Sequence, residues 1–88
     1  MKLKYNFVLN QLGEEFVAVP IGDSVIEFNG LLKLNESAAY IIESLNNEIT
    51  YDDLCMNVAA KFSTTTDDAR KNIDYIIDGL MNAGLIVE

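Results

Sequence analysis

Few residues in this sequence are equipped for bond-making chemistry, and their types and spacing narrow what they could do. Histidine is absent from all 88 positions, which removes the commonest general base, a frequent metal ligand and the usual switch near neutral pH. The single cysteine, Cys55, can form neither an internal disulfide nor a thiolate cluster for a metal. It shares an apolar helical stripe with Leu54, Val58, Ala59 and Phe62, a placement that favours a buried, inert thiol over a nucleophile. Asp52-Asp53 and Asp67-Asp68 are paired carboxylates. Each pair falls where a helix begins and its dipole favours negative charge, and neither has the spread of oxygens a calcium loop needs. What remains is carboxylates, hydroxyls and a few lysines, so no catalytic residue, metal or cofactor is expected and the chain reads as a non-enzyme.

The elements that position these residues fall into two halves with no linker between them. From Lys4 to Leu34 the pattern has a period of two with turn residues at short intervals, the mark of antiparallel strands. Tyr5, Phe7 and Leu9 share one face of the first strand, Gly13 breaks it, and Glu15 to Val19 resumes with Phe16 and Ala18 opposite Val17 and Val19. Pro20 lacks the amide proton a ladder requires and Gly22-Asp23 is turn chemistry, so a third strand is predicted from Ser24. Asn29-Gly30 accepts the positive φ of a type I′ hairpin, pairing Phe28 with Leu31, Glu27 with Leu32, Ile26 with Lys33 and Val25 with Leu34.

From Asn35 onward the period becomes helical. Asn35 is a good N-cap for a helix whose stripe is Ala38, Ile41, Ile42 and Leu45, and Asn46-Asn47 stops it. Thr50-Tyr51-Asp52-Asp53 has capping-box spacing and opens the second helix. After Ser63-Thr64-Thr65-Thr66, the third helix presents Ala69, Ile73, Ile76, Ile77 and Leu80. Gly84 supplies a left-handed stop, and Leu85-Ile86-Val87 either packs back or adds a short strand. The fold class is therefore α+β: a small antiparallel sheet followed by a three-helix bundle, in the element order of a winged helix-turn-helix variant, as a single domain over 1–88.

Half the residues are hydrophobic, yet no apolar run reaches the ~20 residues of a membrane span. The basic start Met1-Lys2-Leu3-Lys4 is interrupted by Asn6, Asn10 and Gln11 before a secretion core can form, which points to the cytoplasm. Net charge is -8 and unevenly spread. Residues 1–34 set Lys2, Lys4 and Lys33 against Glu14, Glu15, Asp23 and Glu27, whereas residues 35–88 set Lys61, Arg70 and Lys71 against ten carboxylates. Such a surface repels nucleic-acid phosphates and anionic lipid and favours a basic partner. A winged-helix transcriptional regulator is the alternative function, but the second and third helices carry too much negative charge to neutralise phosphates. A further alternative is a carrier protein, since Gly22-Asp23-Ser24-Val25 is similar to a phosphopantetheine attachment site. That site opens a helix, and Asn29-Gly30 would break it.

Three stretches carry a resemblance. Leu32-Lys33-Leu34-Asn35-Glu36-Ser37-Ala38-Ala39-Tyr40-Ile41-Ile42, then Ile49-Thr50-Tyr51-Asp52-Asp53-Leu54, then Leu80 with Gly84-Leu85, resemble the PqqD family of coenzyme PQQ synthesis. The similarity covers Ser24 to the C-terminus, and the upstream hairpin resembles the short stand-alone members. Ile42 stands where many members have Trp, and Asn46-Asn47 where many have Asp-Gly. The resemblance implies a recognition element for ribosomally made precursor peptides. Such a module holds the precursor's leader as an added strand, in a groove beside the third helix, and presents it to a maturation enzyme, frequently a radical SAM enzyme.

The residues can support that role, because a sheet edge offers open N–H and C=O groups to any extended peptide. Leu31, Leu32, Lys33 and Leu34 form the expected edge, with Leu32 and Leu34 facing the core. Arg70, Asp74 and Ile77 are the expected contacts from the third helix. The partners expected are the leader peptide and the enzyme, with no nucleic acid or membrane. Edge-to-edge pairing also makes a homodimer an expectation.

Overall fold

The computed structural model of the chain describes residues 1–22 and 32–87, apart from the side chain of Leu32. Strands β1 (Lys2–Leu3), β2 (Phe7–Leu12), β3 (Glu15–Pro20) and β4 (Leu32–Leu34) are followed by helices α1 (Glu36–Ser44), α2 (Tyr51–Lys61) and α3 (Thr66–Asn82), and then by β5 (Ile86–Val87). The class is α+β, an antiparallel sheet with three described helices. The strand expected from Ser24, the Asn29-Gly30 turn, Leu31 and the carrier-like Ser24 lie outside the described residues.

The period-two stretch folds as a tight hairpin. Leu12 pairs with Glu15, leaving Gly13-Glu14 as a two-residue loop with positive φ at Gly13 alone, the pattern of a type II′ turn. Pro20 closes β3 opposite Phe7, at a strand end where its missing amide proton is tolerated. β3 is the central strand of the order β2-β3-β4. β4 is antiparallel to it, with Lys33 opposite Val17 and Leu34 opposite Phe16. The described partner of Lys33 and Leu34 is thus β3, and the expected register with Ile26 and Val25 lies outside the described residues.

Three side-chain caps start the helices, those at Asn35 and Thr50 as the sequence implies. Asn35 Oδ1 accepts from the Ala38 amide at 2.8 Å. Thr50 Oγ1 accepts from Asp53 and Thr65 Oγ1 from Asp68, both at 3.1 Å. Helices α2 and α3 end in the same device. Thr64 N–H reaches back to Ala59 C=O with Ser63 at φ 52 between, and Leu85 N–H reaches Leu80 C=O across Gly84 at φ 73. Both are Schellman closures, which place a left-handed residue just beyond the helix.

Helix α1 occupies the middle, packing on the sheet from one side and on α2 and α3 from the other. Its whole stripe, Ala38, Ile41, Ile42 and Leu45, is buried, together with Leu54, Val58 and Ile73 from the other helices. Each fully buried aliphatic side chain contributes about 1.5–3 kcal/mol. Leu85 packs into this core and Ile86–Val87 pairs with β1, Leu3 opposite Ile86, so the C-terminal segment takes both of its expected roles. Two links tie the N-terminal segment to the end of α1: Leu3 N–H donates to Leu45 C=O at 2.8 Å, and Asn46 Nδ2 donates to Phe7 C=O at 3.0 Å.

Candidate functional site

A groove of about 450 Å³ runs between β4 and α3. Its floor is aliphatic: Leu34 from the strand, Ile42 from α1, Ile76 and Leu80 from α3, and Leu85 beyond it. The lip on the helix side is mixed, with Tyr75, Asp78 and Asn82. Tyr75 is 79 % exposed, so its ring stands beside the groove with little of it packed.

Helical spacing explains this division of labour. On a 3.6-residue period Ala69, Ile73, Ile76, Ile77 and Leu80 make the inward stripe. Gly79 and Ala83, one turn apart, fall on the β4 side of that stripe and line the groove. Having little or no side chain, they keep the helix surface low where the groove is open. Gly79 has nothing within 4 Å of where a Cβ would stand, so no packing demand explains a residue that weakens a helix interior.

The other side of α3 belongs to α2. Tyr51, in the first turn of α2, donates its phenolic O–H to Asp74 Oδ1 at 2.5 Å. That hydrogen bond, with partial burial and the neighbouring Cys55 adding to it, holds the Tyr51 phenol above its ordinary titration range. Cys55 itself is buried. Among the described residues, no three Cys, Asp or Glu side chains gather into a set that could hold a metal ion.

The expected contact residues separate accordingly. Leu34 lines the groove, Lys33 is exposed on β4, and Leu32 supplies strand backbone. Arg70 and Asp74 are exposed on the α2 side of α3, and Ile77, 9 % exposed, is packed in the core. None of these three helix residues lines the groove, because 70, 74 and 77 share one stripe about half a turn around the helix from Gly79. The groove residues Tyr75, Ile76, Gly79 and Ala83 are the ones sequence reasoning missed. Their available signal was a glycine and an alanine one turn apart inside a helix, next to an aromatic outside the apolar stripe.

β4 makes its described backbone ladder on one side only, with β3. Among the described residues β4 is the outer strand of its sheet, and it lies beside the apolar floor and helical lip of the groove. No described helix is long and apolar enough to cross a membrane. The family model described as Coenzyme PQQ synthesis protein D (PqqD) matches residues 7–86, so the similarity begins with the first residue of β2 and includes the whole β2–β3 hairpin. No curated protein and no solved structure gives a significant match.

Proposed function

The chain belongs to the PqqD family, whose members are accessory binding proteins of coenzyme PQQ synthesis rather than catalysts, and on that premise we propose that it captures the leader segment of a ribosomally made precursor peptide. The leader pairs with β4 as a further antiparallel strand, and its alternate side chains drop into the groove beside α3. Leu32, Lys33 and Leu34 supply backbone groups, Leu34 and Ile76 apolar contact, and Tyr75 a lid over the occupied slot. The held precursor is then presented to a separate maturation enzyme, a radical SAM enzyme in this reading. The chain works in the cytoplasm and contributes no reacting group of its own.

The observation that carries the reading is the coincidence of a strand that pairs, among the described residues, on one side only with an apolar groove of about 450 Å³ beside it. Backbone pairing supplies affinity without sequence preference, and pockets for every second side chain supply selectivity. The strongly acidic surface, net -8, argues against nucleic acid as the ligand.

The test is titration of the labelled chain with leader peptides encoded beside its gene, followed by amide NMR. Saturable shifts confined to β4 and the Tyr75–Ala83 stretch of α3 support capture. Methylating backbone nitrogens of the bound peptide one at a time should then abolish binding at alternate positions and spare the rest, since only every second N–H faces the protein strand. Binding indifferent to every N-methyl group would rule out strand addition.

A further inference from the structure

A second groove, of about 370 Å³, lies between the β2–β3 hairpin, α1 and the end of α2. Leu9 and Phe16 from the hairpin and Phe62 after α2 give it a half-buried apolar floor. Its rim is charged. Glu36, Tyr40 and Glu43 follow one another at helical spacing along α1, with Lys61 across from them.

These charges do not neutralise one another. Among the described residues neither carboxylate takes part in an ion pair, and the ion pair that is present joins the Met1 amino group to Glu48. The Lys61 ammonium lies instead over the Tyr40 ring, 5.9 Å from its centroid. Phe62 meets that ring edge-on, with centroids 5.7 Å apart and planes at 88°. The groove thus holds an aromatic ring braced by a second ring, already visited by a cation and flanked on the same helix by two carboxylates with no ion pair among the described residues.

One side chain is complementary to all of these features. Arginine stacks its planar cation on an aromatic face and offers a fork of donors to carboxylates, and it sheds water more readily than a lysine ammonium. An apolar neighbour in the same peptide would rest on Leu9, Phe16 and Phe62. We propose that this groove is a second docking site, which takes an arginine-bearing apolar segment of a protein partner, the guanidinium stacking on Tyr40 between Glu36 and Glu43 in place of Lys61. Because Glu36, Tyr40 and Glu43 lie on a different flank of α1 from Ile42, both grooves can be filled at once. That this partner is the maturation enzyme rests on the function proposed above; the selectivity of the groove does not.

The experiment titrates the full chain with the blocked tripeptides acetyl-Leu-Arg-Leu-amide and acetyl-Leu-Glu-Leu-amide, read by amide NMR. The arginine peptide should shift Glu36, Tyr40, Glu43, Lys61 and Phe62 and bind about tenfold tighter than the glutamate peptide, a difference of about 1.4 kcal/mol. Joint Glu36→Gln and Glu43→Gln replacement should erase that preference, and Lys61→Gln should strengthen arginine binding by freeing the ring. Equal response to both peptides, shifts spread over the acidic helices and unaltered by the glutamine replacements, or no shift at all would overturn the proposal. Leader titration reads β4 and α3 instead, so either proposal can fail while the other stands.

Discussion

Tyr51 and Asp74 join the first turn of α2 to the middle of α3 through a single hydrogen bond of 2.5 Å. The carboxylate accepts the phenolic hydrogen bond and opposes loss of its proton, so Tyr51 ionises above its ordinary value, which is about 10 for a free tyrosine. The native state therefore keeps a proton that the unfolded chain releases. The sign follows from linkage: this contribution is complete below about pH 10 and is lost as pH rises through the native value. Phenolate absorbance of the wild type minus that of Tyr51→Phe should show a group titrating above about 10. Asp74→Asn should bring that group back down. Near neutral pH, Tyr51→Phe should cost about 0.5–1 kcal/mol by urea unfolding.

Gly79 sits in the interior of α3 with open space where a Cβ would be. Gly79→Ala should raise stability by about 0.5–1 kcal/mol, since glycine sacrifices that much in a helix interior. The added methyl group projects toward the groove, so leader affinity should hold or fall while stability rises. Gly79→Phe should block binding outright. Equal affinity for wild type and Gly79→Phe would show that the peptide does not use this groove.

Much of this arrangement could be read from the sequence, and the exceptions have physical causes. The caps at Asn35 and Thr50 and the stop at Gly84 are local devices, decided by side chains within a few residues, and the sequence displays them. The buried stripes of all three helices follow from spacing alone. Strands β1 and β5, two residues each, are too short to show a period. The flank of α3 that faces β4 depends on where α2 lies, a tertiary fact. Asp74 is therefore expected at the groove from the sequence, and its bond to Tyr51 places it with α2 instead.

Ser63 ends α2 at φ 52, the left-handed position that a glycine fills at the end of α3. A side chain there costs roughly 1–2 kcal/mol of backbone strain. Ser63→Gly should recover about 0.5–1 kcal/mol after the extra entropy of an unfolded glycine is subtracted. Gly84→Ala should lose a comparable amount. Paired urea denaturation curves with unchanged slopes check both, and a destabilised Ser63→Gly variant would contradict the strain.

Tyr75 and Arg70 discriminate between the two sides of α3. Both are exposed, so alanine at either position should alter folding stability by less than about 0.5 kcal/mol. Tyr75 stands at the groove lip, where an aromatic closing over a bound strand would act as an anchor. Its removal should weaken leader binding by roughly tenfold or more, the scale of an interface hot spot. Arg70 lies on the α2 side, so Arg70→Ala should leave affinity within about twofold, as expected of an exposed charge outside the contact. Isothermal titration of both variants with one leader peptide gives the comparison. A loss at Arg70 with none at Tyr75 would move the binding face to the α2 side of the helix and reject the β4 groove.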